Sequence, residues 1–150
     1  MRHYIIDGNN LIGKIGSLQK LQNKNKQSTR EKLAFKLEDY FHDKPNIKVS
    51  LHLDGFPGQS IKVQNIRIIY SGKKTADDEI KSQIGNEKNP RNVILVSSDR
   101  QLKDFASVCG CDCISSEDFS KSIMPRSPED EEQKRQDELN NDDFKKLFGV

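Results

Sequence analysis

The sequence predicts an α/β fold, a mainly parallel five-stranded sheet covered by helices on both faces. Two observations carry this. Short apolar runs alternate along the chain with segments whose apolar residues recur at helical spacing, the pattern of strands joined by crossover helices. Those runs also end abruptly. Tyr4–Ile6 stops at Asp7, Ser50–Leu53 at Asp54 and Arg67–Tyr70 at Ser71, while Asn92–Val96 passes into Ser97–Asp99. In an open parallel sheet such ends gather on one rim, where ligands bind.

The elements follow in order. Arg2–Ile6 is the first strand, closed by Asp7, Gly8, Asn9 and Asn10. Leu11–Leu21 approaches helical spacing but is interrupted by Gly13 and Gly16, and reads as a loop with a short helix. Gln22–Gln27 is a polar, basic exposed turn. Ser28 and Glu31 stand at capping-box spacing and open a helix with Leu33, Leu37, Tyr40 and Phe41 on one face, closed by Pro45 and Asn46. Lys48–Asp54 is strand two, Gly55–Gln59 a turn, and Ile61–Tyr70 supplies strand three. After the basic loop Ser71–Lys74, Thr75 caps a helix with inner face Ala76, Ile80 and Ile84, and Asp77, Asp78 and Glu79 suit its dipole. Asn92–Val96 is the most apolar run, which places strand four at the sheet centre. Ser98 and Gln101 form a second capping box, opening a helix that buries Leu102, Phe105 and Ala106. Gly110–Ile114 is a fifth strand and Glu117–Ser122 a short helix.

At 150 residues, with 33% hydrophobic and 32% charged, the chain suits one domain with one real core. The apolar residues concentrate before Ile123, so the expected division is a domain at 1–123 and a charged tail at 124–150, flexible or partly helical. Residues 126–143 are almost wholly polar with an acidic cluster at Glu129–Glu132, while Phe144, Leu147 and Phe148 are able to dock. Residues 1–75 carry a net charge of +8 and residues 76–150 one of −6, which points to a polyanion partner for the first half. No cleavable leader and no long apolar span is visible, so the expected setting is the cytosol or its organellar equivalent, with no membrane. Cys109, Cys111 and Cys113 are too crowded for a disulfide framework and read as small apolar residues.

The chemistry follows from the rim. Asp7, Asp54 and Asp99 lie at or just after strand ends, and Asp77 and Asp78 begin the helix after strand three. Two carboxylates about 5 Å apart repel by about 3 kcal/mol at an effective dielectric near 20, so several together call for cations. An all-oxygen donor set suits Mg²⁺ or Mn²⁺, whereas His3, His42 and His52 do not pair at zinc-ligand spacings. Such ions activate water and neutralise charge on a phosphodiester. Lys14, Lys20, Lys24, Lys26, Lys73 and Lys74 are the candidates to hold the nucleic-acid backbone. The combination points to a metal-dependent nuclease. Asp78 and Glu79 have a competing role at the helix start, Asp39, Asp43 and Asp104 read as solvated, and Ser97 and Ser98 lack a nearby His for nucleophilic chemistry.

Four blocks carry a resemblance: Tyr-Ile-Ile-Asp-Gly-Asn-Asn-Leu-Ile at 4–12, Leu-Asp-Gly at 53–55, Tyr-Ser-Gly-Lys-Lys-Thr-Ala-Asp-Asp-Glu-Ile at 70–80, and Val-Ser-Ser-Asp-Arg-Gln-Leu at 96–102. In this order they resemble a NYN domain of the YacP-like subgroup, related to PIN-domain ribonucleases. The resemblance covers about residues 2–122. It implies a three-layer α/β/α sandwich and an acidic metal site, with the family's acids falling on Asp7, Asp54, Asp77 and Asp99 and its amide on Asn10. It implies endoribonuclease activity on RNA, in some members on messenger RNA at the ribosome. In that reading Asp7 and Asp99 bind the principal metal, Asp77 and Asp54 complete the site, and Asn10 orients a ligand or the phosphate. The competing reading is a non-catalytic RNA- or ribosome-binding module with the same fold. A small-molecule phosphatase ranks last, because its common form wants a second Asp where Asn9 stands.

Overall fold

A computed structural model of the chain describes residues 1–124. The tail expected at 124–150 lies, beyond Met124, outside the described residues. The order is β1 (Arg2–Asp7), α1 (Gly8–Gly13), α2 (Gly16–Gln22), α3 (Lys26–Phe41), β2 (Ile47–Leu53), β3 (Arg67–Tyr70), α4 (Ala76–Gly85), β4 (Val93–Val96), α5 (Arg100–Val108), β5 (Asp112–Ile114) and α6 (Ser116–Ile123), with a 3₁₀ turn at Pro90–Asn92 before β4. The strands form one sheet in the order β3-β2-β1-β4-β5, every pair parallel. No helix among the described residues is long and apolar enough to cross a membrane.

The two faces of the sheet follow from strand alternation, which sends successive side chains to opposite sides. Ile6, Val49, Leu51, Leu53 and Val96 pack with Leu11, Ile12, Leu18, Leu33, Leu37 and Phe119, residues of α1, α2, α3 and α6. Tyr4, Tyr40, Phe41 and Phe119 form an aromatic cluster within that layer, Tyr4 and Phe41 having ring centroids 5.0 Å apart. Ile5, Val93 and Leu95 pack on the other side with Ile80, Ile84, Leu102, Ala106 and Cys111 from the α4, α5 and pre-β5 region. The chain is therefore the three-layer sandwich expected. Cys111 is a core residue whose thiol burial pushes up to about 11, and Cys109 and Cys113 pack beside it; all three are free thiols.

Several boundaries differ from the sequence reading, each for a local reason. Leu11–Leu21 belongs to two helices and not to a loop with one short helix: α1 ends at Gly13, the chain bends at Lys14–Ile15, and α2 starts at Gly16. Asn25, extended at φ −152°, caps α3 by accepting from the Ser28 N–H, so the capping box at Ser28 does not form. Likewise Asp99, not Ser98, caps α5, accepting from the Leu102 N–H. Thr75 caps α4 as expected. Strand three is shorter than Ile61–Tyr70, pairing with β2 only from Arg67. The sheet centre is β1, while β4 is the interior strand between it and β5.

On the α4 side, β1 and β2 also bury polar groups. His3 Nε2 and Gln83 Nε2 both contact Ser50 Oγ, at 2.8 and 3.0 Å, His3 Nδ1 meets Glu87 at 2.8 Å, and His52 Nε2 meets the Gln83 amide oxygen. Burial outweighs the hydrogen-bond partners and holds both histidines below their ordinary range, so they are neutral packing groups.

Gly8 is where α1 leaves the sheet. A Cβ there would lie 2.5 Å from the His52 carbonyl oxygen and 2.7 Å from a Leu53 methyl. Because the carbonyl belongs to a central strand, it has nowhere to go. Gly8→Ala is expected to lose about 2–3 kcal/mol in urea unfolding. Gly13→Ala, with open space at its Cβ position, is expected to be neutral or up to about 1 kcal/mol more stable.

Candidate active site

The strand order places β1 at the point where the chain reverses direction across the sheet. β2 lies on one side of it and β4 on the other, which is the switch-point geometry of open α/β sheets. Asp7 is the last residue of β1, at that point. It is 5% exposed. Its register partner on β2 is His52, and on the β4 side the ladder ends one residue earlier at Ile6–Val96. Asp7 therefore projects just past the end of β4, beside Ser97. The Ser97 hydroxyl donates to Asp7 Oδ2 at 3.0 Å, and the Asp99 N–H donates to that hydroxyl oxygen at 3.0 Å. Ser97 thus ties the β4–α5 turn to the Asp7 carboxylate. It is fully buried, and its role here is alignment, not nucleophilic attack.

Asp54 follows β2 and is held on both oxygens. Asn9 Nδ2 donates to Oδ2 and the Ala76 N–H donates to Oδ1, each at 2.6 Å. The second bond satisfies a free amide at the start of α4, where the helix dipole also favours a negative charge. Asp54 consequently fixes where α4 begins, and so where the half-buried Asp77 stands. Asp99 is the N-cap of α5, with Oδ1 accepting from Leu102 at 3.1 Å. Asp78 is exposed on the outer side of the same first turn of α4 as Asp77.

The electrostatics bring these acids into one group. Burial raises Asp7 to about 6; Ser97 opposes this, while the charges of Asp77 and Asp54 add to it. Asp77 is raised by burial first, then by the charges of Asp99, Asp54 and Asp78, with Lys81 opposing. Asp7, Asp54, Asp77 and Asp99 therefore sit within reach of one another's fields at one rim. Among the described residues, no three His, Cys, Asp or Glu side chains converge closely enough to ligate a single ion directly. The four groups offer oxygen donors only, and each charge disfavours ionisation of its neighbours.

Asn10 lies in α1 and acts as a clamp. Its Oδ1 accepts from the Ser98 N–H at 2.9 Å and from the Ser116 hydroxyl at 2.7 Å. The Ser116 N–H in turn donates to Ser98 Oγ at 2.9 Å, and Ser98 Oγ donates to Glu117. Three turns are thereby joined beside the acids. Lys14 pairs with Glu117 at 3.0 Å, and the Ser98 and Lys14 contacts hold the Glu117 carboxyl down near 2.

The lysines divide. Lys26 Nζ lies 3.8 Å from the position of a Cβ on Gly55, and the Gly72 N–H donates to the Gly55 carbonyl at 2.9 Å, so Lys26 and the Lys73–Lys74 pair flank the Asp54 end of the rim. Lys20 and Lys24 instead line a separate groove between α2 and α3 with Phe35 and Asp39. The sequence reading missed Arg30. It is 5% exposed, donates to the Asp54 carbonyl and, at 3.0 Å, to the Phe56 carbonyl, and stacks over Tyr70 at 5.2 Å. Its position on the buried stripe of α3, one turn from Ala34 and Leu33, was the available signal. Asn9, Ser97, Ser98 and Ser116 carried none beyond their place in the turns.

The raised carboxyl of Asp7 has a measurable consequence. The folded chain holds that proton more tightly than the unfolded chain, whose carboxyl titrates near 3.8, so folding stability falls as pH rises from about 4 to 6 and stays lower above. A shift of this size corresponds to about 3 kcal/mol. Urea unfolding in EDTA between pH 4 and 8 is expected to show this slope. Asp7→Asn is expected to remove most of it and to be the more stable protein at pH 7.5.

The family model for the YacP-like NYN domain matches residues 4–147. The structure superposes on the crystal structure of Rae1 (YacP) from Bacillus subtilis with a TM-score of 0.67 at 20% identity, covering 99% of this chain and 86% of that one. A tryptophan-to-leucine variant of the same protein gives a TM-score of 0.67 at 18% identity, covering 81% of this chain and 73% of that one. No match was found among curated proteins. With family sequence over most of its length and the fold to go with it, the chain belongs to the YacP-like NYN domain family, within the PIN-like nucleases.

Proposed function

We propose that the protein is a metal-dependent endoribonuclease that hydrolyses RNA phosphodiester bonds. The observation that supports this best is the convergence of Asp7, Asp54, Asp77 and Asp99 at the switch point of the sheet, with Asp7 and Asp77 raised by burial and by their neighbours' charge. A structural role would leave such acids paired with bases. Here the strongest influences on Asp77 after burial are other carboxylates, an arrangement that is costly until a cation enters.

Asp7, Asp77 and Asp99 are the residues to hold Mg²⁺ or Mn²⁺, and Asp78 is a possible further ligand. Oxygen donors of this kind would suit a hard cation that keeps several of its own waters. Such an ion supplies a water of lowered pKa and neutralises charge on the phosphodiester. The protein's own groups do the positioning. Ser97 fixes the orientation of Asp7, Asn9 and the α4 terminus fix Asp54, and Asn10 fixes the β4–α5 turn that carries Asp99. Lys26, Lys73 and Lys74 hold the RNA backbone at the Asp54 side, while Lys14, Lys20 and Lys24 are more distant contributors to the attraction. Hydrolysis by water at this rim leaves a 5′-phosphate and a 3′-hydroxyl. Messenger RNA on the ribosome is the substrate the family resemblance favours.

One observation favours the alternative, a non-catalytic RNA- or ribosome-binding module. Asp54 has both oxygens engaged and Asp99 has one engaged in capping, and three direct ligands do not converge among the described residues. Cleavage of a labelled RNA by the full chain with Mn²⁺ or Mg²⁺, against EDTA controls, separates the two readings. The wild type is expected to cleave only with the metal. Asp7→Asn is expected to lower the rate roughly a hundredfold or more and to change RNA affinity less than about threefold, since the backbone contacts come from lysines. Metal-dependent cleavage undiminished in that variant would refute the assignment.

A further inference from the structure

Phe56 stands out against the rest of the chain. It is 63% exposed, more than Phe35 on α3 at 47%, whereas Tyr4, Tyr40, Phe41 and Phe119 pack into the core layer. It follows Asp54 by two residues, so it sits at the acidic rim. Its loop is held at several points. Arg30 donates to the carbonyls of Asp54 and Phe56, the Gly55 N–H donates to Ser71 Oγ at 2.9 Å, and the Gly72 N–H donates to the Gly55 carbonyl at 2.9 Å. Gly55 itself has φ +86°, a conformation a side chain would strain, and it turns the chain so that Phe56 leaves the sheet. The ring edge rests 3.8 Å from the position of a Cβ on Gly72, immediately before Lys73 and Lys74.

A large apolar ring in solvent is unfavourable by itself, and a buried arginine with no carboxylate partner in the described residues holds the backbone that carries it. A rigid aromatic face beside lysines and next to an acidic rim has the make-up of a stacking platform for single-stranded nucleic acid. We infer that Phe56 stacks on an unpaired base of the RNA and so restricts this site to single-stranded RNA. The inference rests on the RNA-cleaving reading above but concerns its substrate class. Every base offers a π-face, so Phe56 selects for strandedness and not for a particular base. A base inside a duplex has no free face, and a paired strand gains nothing from the ring.

The test is binding of the full chain, in EDTA, to a fluorescent single-stranded oligoribonucleotide and to a fully paired RNA duplex of the same length. Phe56→Ala and Phe56→Leu are expected to weaken single-strand binding about tenfold and to leave duplex binding within about twofold. Phe56→Trp is expected to bind the single strand as well as the wild type or better. Phe56 belongs to neither core cluster, so the variants should keep the wild-type unfolding midpoint. The inference is overturned if Phe56→Ala binds the single strand within about twofold of wild type, if Phe56→Leu retains full affinity, or if duplex binding falls equally. Because the readout is binding without metal, a chain that binds through Phe56 and fails to cleave with Mn²⁺ sinks the nuclease reading alone. A chain that cleaves, with Phe56→Ala binding normally, sinks this inference alone.

Discussion

A carboxylate buried at the switch point of a parallel sheet is the constraint on which the rest of this structure depends. Asp7 terminates the central strand, so the ladders on both sides of β1 fix it. Removing it from water disfavours its charged form and carries the carboxyl up to about 6, the charges of Asp77 and Asp54 adding to the rise. What the fold provides against this is the Ser97 hydroxyl and the Asn10 backbone N–H, with no basic side chain among the groups that shift it. The acid is therefore held in place without being neutralised.

The surrounding hydrogen bonds share a pattern. Polar side chains at the strand ends use backbone amides of the following helices as partners, so each acid is oriented by the start of a neighbouring element. Asp54 takes the first amide of α4 and Asp99 caps α5. Asn10 reaches across from α1 to the turn after β4 and to the start of α6. Such bonds are individually worth about 1 kcal/mol or somewhat more when charged. Their effect is geometric, because they make the positions of helices and acids interdependent. Gly8 belongs to the same design, letting α1 start directly against β2 so that Asn9 and Asn10 arrive next to Asp54 and Ser98.

The polar network under α4 is built differently. His3, Ser50, His52 and Gln83 bury polar groups under α4 and hydrogen-bond to one another, with His52 Nδ1 the one buried side-chain polar atom left without a partner among the described residues, and burial holds both histidines below their ordinary range. Both the acidic rim and this network contain buried ionisable residues. Only the rim leaves like charges facing each other, and that difference separates a site able to hold a cation from an internal hydrogen-bonded packing contact.

The alternation of apolar runs and helical spacing determined by itself the α/β class, the five strands and the two-faced core, because burial periodicity is a property of the chain. It also determined that Asp7, Asp54 and Asp99 would lie at or just after strand ends and Asp77 at the start of the helix after strand three, and the blocks around them carried the family. The tertiary structure alone decided what those residues do. The caps of α3 and α5, Asn25 and Asp99, are local bonds whose choice over Ser28 and Ser98 follows the backbone conformation at each helix start, whereas the clamping of two turns by Asn10 depends on groups brought together from far along the chain. The same holds for Arg30, which reads as one more charge on a helix until it is seen bonded to carbonyls after β2. Local sequence specifies which elements form, since a residue's neighbours fix its periodicity. Partners across the sheet are chosen only when the strands pair, and so the roles of the site residues were not legible before the fold.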